Sequence, residues 1–457
     1  MFFTQIEFLF FIVPVLLLAY LGGNRLRKIA LLAASLYFYG YWDLRFLLLL
    51  AGVVLIDYLA GRRCAPGSVR AKRWMLSAVI LNIGLLAVFK YCNFFIDTVS
   101  ALIPGCRLGA LHLILPLGIS FFTFQSVSYI VDVYKGKCEP CTDLLDFALF
   151  ILYFPKLVVG PIVRAADFIP QLAAKPDRSF DRFYDGVRQF VFGLFQKLFV
   201  ADTLALFVNP VWENHGAYDS ATVWLAVIGY TLQIYCDFSG YSNMAIGLSR
   251  VLGIELCENF DIPYLSVSVT EFWRRWHISL STWLRDYVYI PLGGNRNGVA
   301  RSYWNLFATM VIGGLWHGAA WTFVFWGAWH GAALMVHKAF LRRFKDSFCM
   351  PRPIAVLITL FVVVIGWVFF RSTGFGEAFA ILEKMFTPSA GVMWLEPCSL
   401  ALIVGAVLLH VAAQFDLHRF WMKSKCTLLN CTLLWLLLLI TLVFKPDVFQ
   451  PFVYNQF

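Results

Sequence analysis

The sequence predicts an all-α polytopic membrane protein, and three observations carry that prediction. Of 457 residues, 60% are hydrophobic and 14% charged, against roughly 25% charged in an average soluble domain. Long apolar runs separated by short charged loops recur from end to end, with no soluble stretch large enough to fold alone. The stretch from Tyr303 to Val336 holds no Asp, Glu, Lys or Arg and is far longer than the about 20 residues that cross a hydrocarbon core. Residues 1–457 are therefore expected to form one polytopic membrane domain.

Composition also excludes some partners. The net charge of +10 is spread through short loops between apolar runs, so membrane topology accounts for it and no nucleic-acid partner is expected. Eleven cysteines show no paired spacing apart from Cys138-Glu-Pro-Cys141. One isolated pair without a second pair or a nearby histidine makes no zinc site, and no metal is expected.

In chain order, the first apolar segment, 8–21, follows Met1-Phe-Phe-Thr-Gln-Ile-Glu-Phe. It lacks the basic start and small-residue cleavage site of a secretory signal, so it is expected to be a retained span. Further segments fall at 29–40, 46–60, 74–90, 113–133, 145–163, 187–209, 221–236, 242–254, 303–339, 354–370, 399–414 and 427–444. With 303–339 folded back on itself these give fourteen candidates, of which about eleven are expected to span fully. Basic residues follow the first segment (Arg25, Arg27, Lys28) and the third (Arg62, Arg63, Arg70, Lys72, Arg73), and recur late (Arg342, Arg343, Lys345, Arg419, Lys423, Lys425). The positive-inside rule places these loops in the cytoplasm and both termini outside.

Four stretches depart from plain apolar helix. Leu115-Pro-Leu-Gly-Ile-Ser-Phe-Phe-Thr-Phe124 and Phe154-Pro-Lys-Leu-Val-Val-Gly-Pro-Ile-Val-Arg164 carry Pro and Gly inside apolar runs, which frees backbone groups that protein or a wet cavity must satisfy. Tyr235-Cys-Asp-Phe-Ser-Gly-Tyr-Ser-Asn243 interrupts another apolar region, with Asp237 either positioning a catalytic group or knitting two helices together. From Cys257 to Arg301 the chain is most polar, and around Thr270–Asn295 the spacing of Arg274, Arg275, Arg285 and Asp286 among aromatics suits a helix lying in the interface, held by lipid headgroups or binding phosphates.

Finally, 303–336 must fold back as two short spans or a re-entrant hairpin, and its glycines suit close helix approach. It carries His317 and His330, each between Trp and Gly. A histidine inside an apolar span is either a functional group or a packed, hydrogen-bonded one. His317 is expected near the reversal, buried in protein.

Taken together, Trp273-Arg-Arg-Trp-His277-Ile-Ser-Leu-Ser, Trp283-Leu-Arg-Asp-Tyr-Val-Tyr-Ile-Pro-Leu-Gly-Gly-Asn295 and Gly313-Gly-Leu-Trp-His317-Gly resemble the membrane-bound O-acyltransferase family. Cys236-Asp-Phe-Ser-Gly-Tyr-Ser-Asn243 and Val159-Gly-Pro-Ile-Val-Arg164 are similar to its bacterial alginate O-acetyltransferase branch. The resemblance implies the family's helical fold, with re-entrant and interfacial helices around a central funnel or tunnel, a catalytic core over 104–340 and a cytoplasmic or interfacial Arg- and Trp-rich segment over 257–302. It also implies His317 and His277 as catalytic residues, with His330, Asp237, Asn243 and Trp316 as supporting ones.

Imidazole has the pKa range to take a proton from an attacking hydroxyl. His317 is the expected base, with His277 orienting the acceptor or polarising the thioester carbonyl. No Gly-x-Ser-x-Gly elbow or Cys-His pair points to a covalent acyl-enzyme. The expected donor is acetyl-CoA, a substrate and not a bound cofactor, met on the cytoplasmic side by Arg274, Arg275 and Arg285. Relatives in this branch imply an extracytoplasmic acetyltransferase-like partner of the SGNH type, a polysaccharide acceptor (alginate or a similar polymer such as cellulose) and an inner-membrane location among lipids. The rivals are transfer of D-alanine to teichoic acid, acetylation of peptidoglycan, and a transporter using His317 and Asp237 in a proton or substrate path.

Overall fold

The computed structural model describes residues 1, 3–103, 109–344, 350–413, 427–448 and 450–452. Among the described residues the chain is helical, with one isolated bridge between Tyr218 and Val392 and no strand. Chain contacts divide it into two compact units, one of Met1–Phe190 with Met244–Cys257, the other of Val191–Asn243 with Glu258–Phe457. Lys345, Arg419, Lys423 and Lys425, which help set the expected orientation, lie outside the described residues.

The first unit contains α1 (Ile6–Leu21), α2 (Asn24–Gly40), α3 (Arg45–Arg63), α4 (Ala71–Leu86), α5 (Cys92–Leu102), α6 (Ile119–Tyr134), α7 (Leu144–Leu152), α8 (Phe154–Leu157) and α9 (Ala165–Ala173). A π-helical turn, Ala87–Tyr91, joins α4 to α5 without a break. Leu31, Phe147, Phe150 and Tyr153 are among its fully buried core residues. Helix α2 starts five residues before the expected apolar segment, so Arg25, Arg27 and Lys28 are helical and not in a loop. The cause is a tertiary contact: Lys28 is buried against Asp146 at 2.6 Å, and Arg27 is buried as well. The Pro- and Gly-bearing stretches do break helices. Gly118, at φ +71°, precedes α6, and the chain leaves helical geometry at Tyr153 before Pro155 starts the single turn of α8.

Helix α10 (Phe180–Leu194) begins in the first unit. The second holds its last residues and, after a π-helical turn at Phe195–Ala201, α11 (Asp202–Glu213) and most of α12 (Ser220–Val251). It continues with α13 (Val269–Arg275), α14 (Ile278–Leu284), α15 (Val299–His317), α16 (Trp321–Phe344), α17 (Arg352–Arg371), α18 (Phe375–Phe386), α19 (Pro397–Ala413) and α20 (Thr427–Phe444).

Two expectations are corrected here. Residues 221–236 and 242–254 are not two segments, because α12 runs unbroken through Tyr235–Asn243. Its polar side chains are satisfied sideways, leaving the backbone helical. Lys197 meets Asp237 at 2.6 Å, Gln196 donates to Ser239 and Asn243 donates to Gln196. Gly240 permits that approach, since a Cβ there would stand 2.8 Å from the Gly193 carbonyl oxygen. Nor do residues 270–295 form one interfacial helix. The chain breaks at Trp276-His277 into α13 and α14, and Phe272, Trp273, Trp276, Trp283 and Leu284 are buried in the unit's core.

By length and composition four helical runs suffice to cross a membrane: Ala71–Leu102, Phe180–Glu213, Ser220–Val251 and Arg352–Arg371. Shorter apolar helices, α1, α19 and α20, turn residues such as Phe10, Leu409 and Leu439 outward. Outward-facing Leu, Val and Phe on such helices are what a lipid surroundings demands.

Candidate active site

The site is built where α13 gives way to α14. Ser268 caps α13 by accepting from the Glu271 N–H, while the Glu271 carboxylate accepts from the Val267 N–H, a reciprocal cap that fixes the start of the helix. Seven residues later the helix ends, and His277 adopts φ +43°, ψ +56°. That left-handed conformation costs a non-glycine residue about 1 kcal/mol or more, and the surroundings impose it. The Asn259 carbonyl accepts from the Ile278 N–H at 2.9 Å, and the Arg275 carbonyl accepts from the Asp261 N–H at 3.0 Å. The segment before Pro263 thus clamps the chain on both sides of His277.

The Asn259 side chain completes the clamp. Its Oδ1 lies 3.2 Å from the Ser279 backbone nitrogen, 2.9 Å from Ser279 Oγ and 3.1 Å from His277 Nδ1. Its Nδ2 donates to Ser242 Oγ on α12. A backbone N–H can only donate, so the atom facing it has to be the amide oxygen. His277 Nδ1 therefore faces an acceptor and carries the ring proton. Nε2 is left as the bare lone pair, buried and without a hydrogen-bond partner among the described residues.

His317 arrives from the other side, as the last residue of α15. The fold-back expected between two short spans is the turn Gly318–Ala320 between α15 and α16. The helices close tightly there because a Cβ on Gly314 would stand 2.2 Å from the Phe323 carbonyl oxygen, and one on Gly327 would stand 2.4 Å from that of Met310. His317 is buried, with its ring 6.4 Å from that of His277. Trp316 and Trp326 stand edge-on to His317, each at 5.0 Å, with Phe370 at 5.3 Å. Trp316 also faces His277 at 5.8 Å, and Phe238 meets that ring edge-on at 4.6 Å. The result is two imidazoles apposed inside an aromatic wall.

The other expected residues are placed differently. His330 is fully buried beside Trp273 and Trp326, and neither ring nitrogen has a hydrogen-bond partner among the described residues. Trp326 stands against both His317 and His330, so His330 belongs to the layer behind the pair. Asp237 and Asn243 serve the separate cluster around Lys197 and Gln196. Arg275 pairs with Glu271 at 2.8 Å, Arg285 pairs with Asp286 at 2.8 Å, and Arg274 is exposed. Among the described residues no group of His, Cys, Asp and Glu is arranged to hold a metal ion.

Sequence reasoning missed Asn259, Ser279 and Ser242. Asn259 lies in Cys257-Glu-Asn-Phe260, where nothing distinguishes it from an ordinary polar loop residue. The one available signal was an amide placed 18 residues before a histidine of interest, which no local periodicity connects.

A family model described as MBOAT, the membrane-bound O-acyltransferase family, matches residues 141–376, which include both histidines of the pair. The chain is 43% identical over 437 residues to a protein named probable alginate O-acetylase AlgI from Pseudomonas aeruginosa, covering 92% of this chain and 82% of that one. It is 36% identical over 413 residues to the peptidoglycan O-acetyltransferase of Helicobacter pylori, covering 83% and 78%. It is 29% identical over 281 residues to the teichoic acid D-alanyltransferase of Bacillus subtilis, covering 58% and 70%.

Proposed function

Because the chain belongs to the membrane-bound O-acyltransferase family, we propose that this O-acyltransferase passes acetyl from cytoplasmic acetyl-CoA toward hydroxyls of an exopolysaccharide. The acceptor class is alginate or a similar polymer such as cellulose, reached through an extracytoplasmic SGNH-type partner. The protein sits in the bacterial inner membrane with its N-terminus outside, as the basic loops favour. Similarity to alginate O-acetylases over most of the chain supports acetyl over D-alanyl transfer, because the match to the D-alanyltransferase is both weaker and shorter.

One observation carries the mechanism: the Asn259 oxygen holds the proton of His277 on Nδ1 and leaves Nε2 as an acceptor. A neutral imidazole in that tautomer takes a proton but does not donate one from Nε2, so it does not polarise a thioester carbonyl. An acceptor hydroxyl has a single proton to give. His277 Nε2 takes it as the oxygen attacks the thioester carbon, and His317 donates to the oxygen that becomes negative. The tetrahedral intermediate then expels the thiolate, and the imidazolium of His277 returns its proton to sulfur. The products are the ester and free coenzyme A, with no acyl group left on protein. These roles are the reverse of those expected from the motifs, which put the base at His317. Arg274, Arg275 and Arg285 receive the donor's phosphates at the cytoplasmic edge.

The test is acetyl-CoA turnover by the purified protein in lipid, with and without added polysaccharide or partner, comparing wild type with His317→Ala and His277→Ala at matched folded yield. Turnover lost in both variants is the expected result. Turnover undiminished in either one overturns its catalytic role. A donor arm with D-alanyl carrier protein in place of acetyl-CoA tells the two acyl classes apart.

A further inference from the structure

Away from the histidines, the first unit contains a buried guanidinium with no hydrogen-bonded counter-ion among the described residues. Arg27 closes the first turn of α2 with 1% of its surface exposed. Its Nε, Nη1 and Nη2 are all buried without a hydrogen-bond partner among the described residues. An unpaired buried charge costs several kcal/mol, so the arrangement is incomplete as it stands.

The nearby carboxylates are already committed. Asp146 pairs with Lys28, and Glu255 pairs with Arg182 and Arg250. Asp177, on the rim, accepts from the Ser179 N–H. What remains around Arg27 is a set of donors. The Tyr153 hydroxyl is an electrostatic neighbour of the guanidinium, and Ser249 lies beside Tyr153. Both hydroxyls are buried, and the two are within hydrogen-bonding range of one another. The guanidinium faces a narrow crevice whose walls include Tyr20, Pro176, Arg178 and Gly253. At Gly253, φ +81°, an added Cβ would stand 3.5 Å from Arg27 Nη1 and 2.8 Å from Pro176 Cβ. The segment Pro176–Arg178 forms one wall of the crevice. That wall is an exposed connection held to α1 by Arg178, which donates to the Ala19 and Gly22 carbonyls.

We infer that Arg27, backed by the Tyr153 and Ser249 hydroxyls, is a seat for the phosphate of a phosphate ester, reached through this crevice. A guanidinium presents a planar fork that matches two phosphate oxygens, and hydroxyls donate to a third. The phosphate comes either from an anionic lipid headgroup or from the nucleotide part of a coenzyme A donor. The site is independent of the histidine chemistry, and its test reads stability and not turnover.

The experiment uses the full-length protein in nanodiscs of neutral phosphatidylcholine. Melting is followed as phosphatidylglycerol replaces part of the lipid, and separately as free coenzyme A is added. Ligand that binds only the folded state raises the melting temperature by mass action, and a rise of at least about 3 °C is expected in one arm. Arg27→Gln is expected to melt no lower than wild type in neutral lipid, since it removes an unanswered charge, and to lose the rise. A rise with phosphatidylglycerol identifies a lipid seat, and a rise with coenzyme A identifies a donor seat. No rise in either arm, or an equal rise in Arg27→Gln, overturns the inference. Should Arg27→Gln fail to fold, Tyr153→Phe and Ser249→Ala are each expected to diminish the rise, and an undiminished rise in both overturns it equally.

Discussion

Two buried polar clusters of the second unit make an instructive pair. Around Lys197, a single ammonium reaches Asp202 at 2.7 Å and Asp237 at 2.6 Å, with the Gln450 carbonyl at 3.2 Å. Around Asn259, one amide oxygen gathers three donors and so leaves the lone pair of His277 Nε2 unused. The first cluster is closed, with its cation and carboxylates answering one another. The second is closed on one side only, and the group left over is a lone pair able to accept a proton. A buried polar cluster acts as a scaffold when its donors and acceptors are consumed, and as reactive machinery when its geometry deliberately leaves one over.

The comparison can be broken by removing the central residue of each cluster. In the Asn259 cluster, His277→Ala, which removes the unused lone pair, is expected to lower acetyl transfer by about 10²- to 10⁴-fold at unchanged melting temperature, read as turnover per folded molecule in lipid. Lys197→Met should do the opposite. It strands two buried carboxylates and is expected to destabilise by about 3–5 kcal/mol, seen as lost folded yield, while the molecules that fold keep most of their turnover. Replacing all three residues together, Lys197→Met with Asp202→Leu and Asp237→Leu, should restore much of that yield, because no charge is then left alone. If the triple variant melts as low as the single one, the triad is not a closed scaffold.

Asn259 sharpens the contrast. Asn259→Ala frees the His277 tautomer and is expected to cost about 100-fold in turnover. Asn259→Asp keeps the shape but sets a carboxylate against Nδ1, which favours the charged imidazole. A base has to be neutral to work, so the acid limb of the kcat/KM profile should move to higher pH. A limb that stays put would remove His277 as the base. The smallest effect belongs to the rim. Arg275→Ala, at a half-buried pair with Glu271, is expected to raise KM for acetyl-CoA by up to roughly fivefold, about 1 kcal/mol, with kcat unchanged.

Much of the fold was legible because membrane helices announce themselves locally. Apolar runs, the uncharged stretch 303–336 and its glycines predict helices and a fold-back, and α15 and α16 with their short turn follow that expectation. Legibility failed where a polar residue's partner is distant in sequence. Asp237 resembled a break in a span until Lys197, forty residues earlier, showed how it is paired inside one unbroken helix. The Arg- and Trp-rich segment resembled a single interfacial helix, because periodicity does not reveal that His277 takes a left-handed conformation held by Asn259.

By itself, then, the sequence determined the class of solvent, the helical architecture and the family, and it singled out the two histidines as candidates, since each depends on composition or on contiguous motifs. The tertiary structure alone decided which histidine nitrogen keeps its proton, that His330 stands behind the pair, and that the Arg27 guanidinium is buried with no hydrogen-bond partner among the described residues. Those properties depend on hydrogen bonds and burial between residues far apart in the chain, which no local pattern encodes.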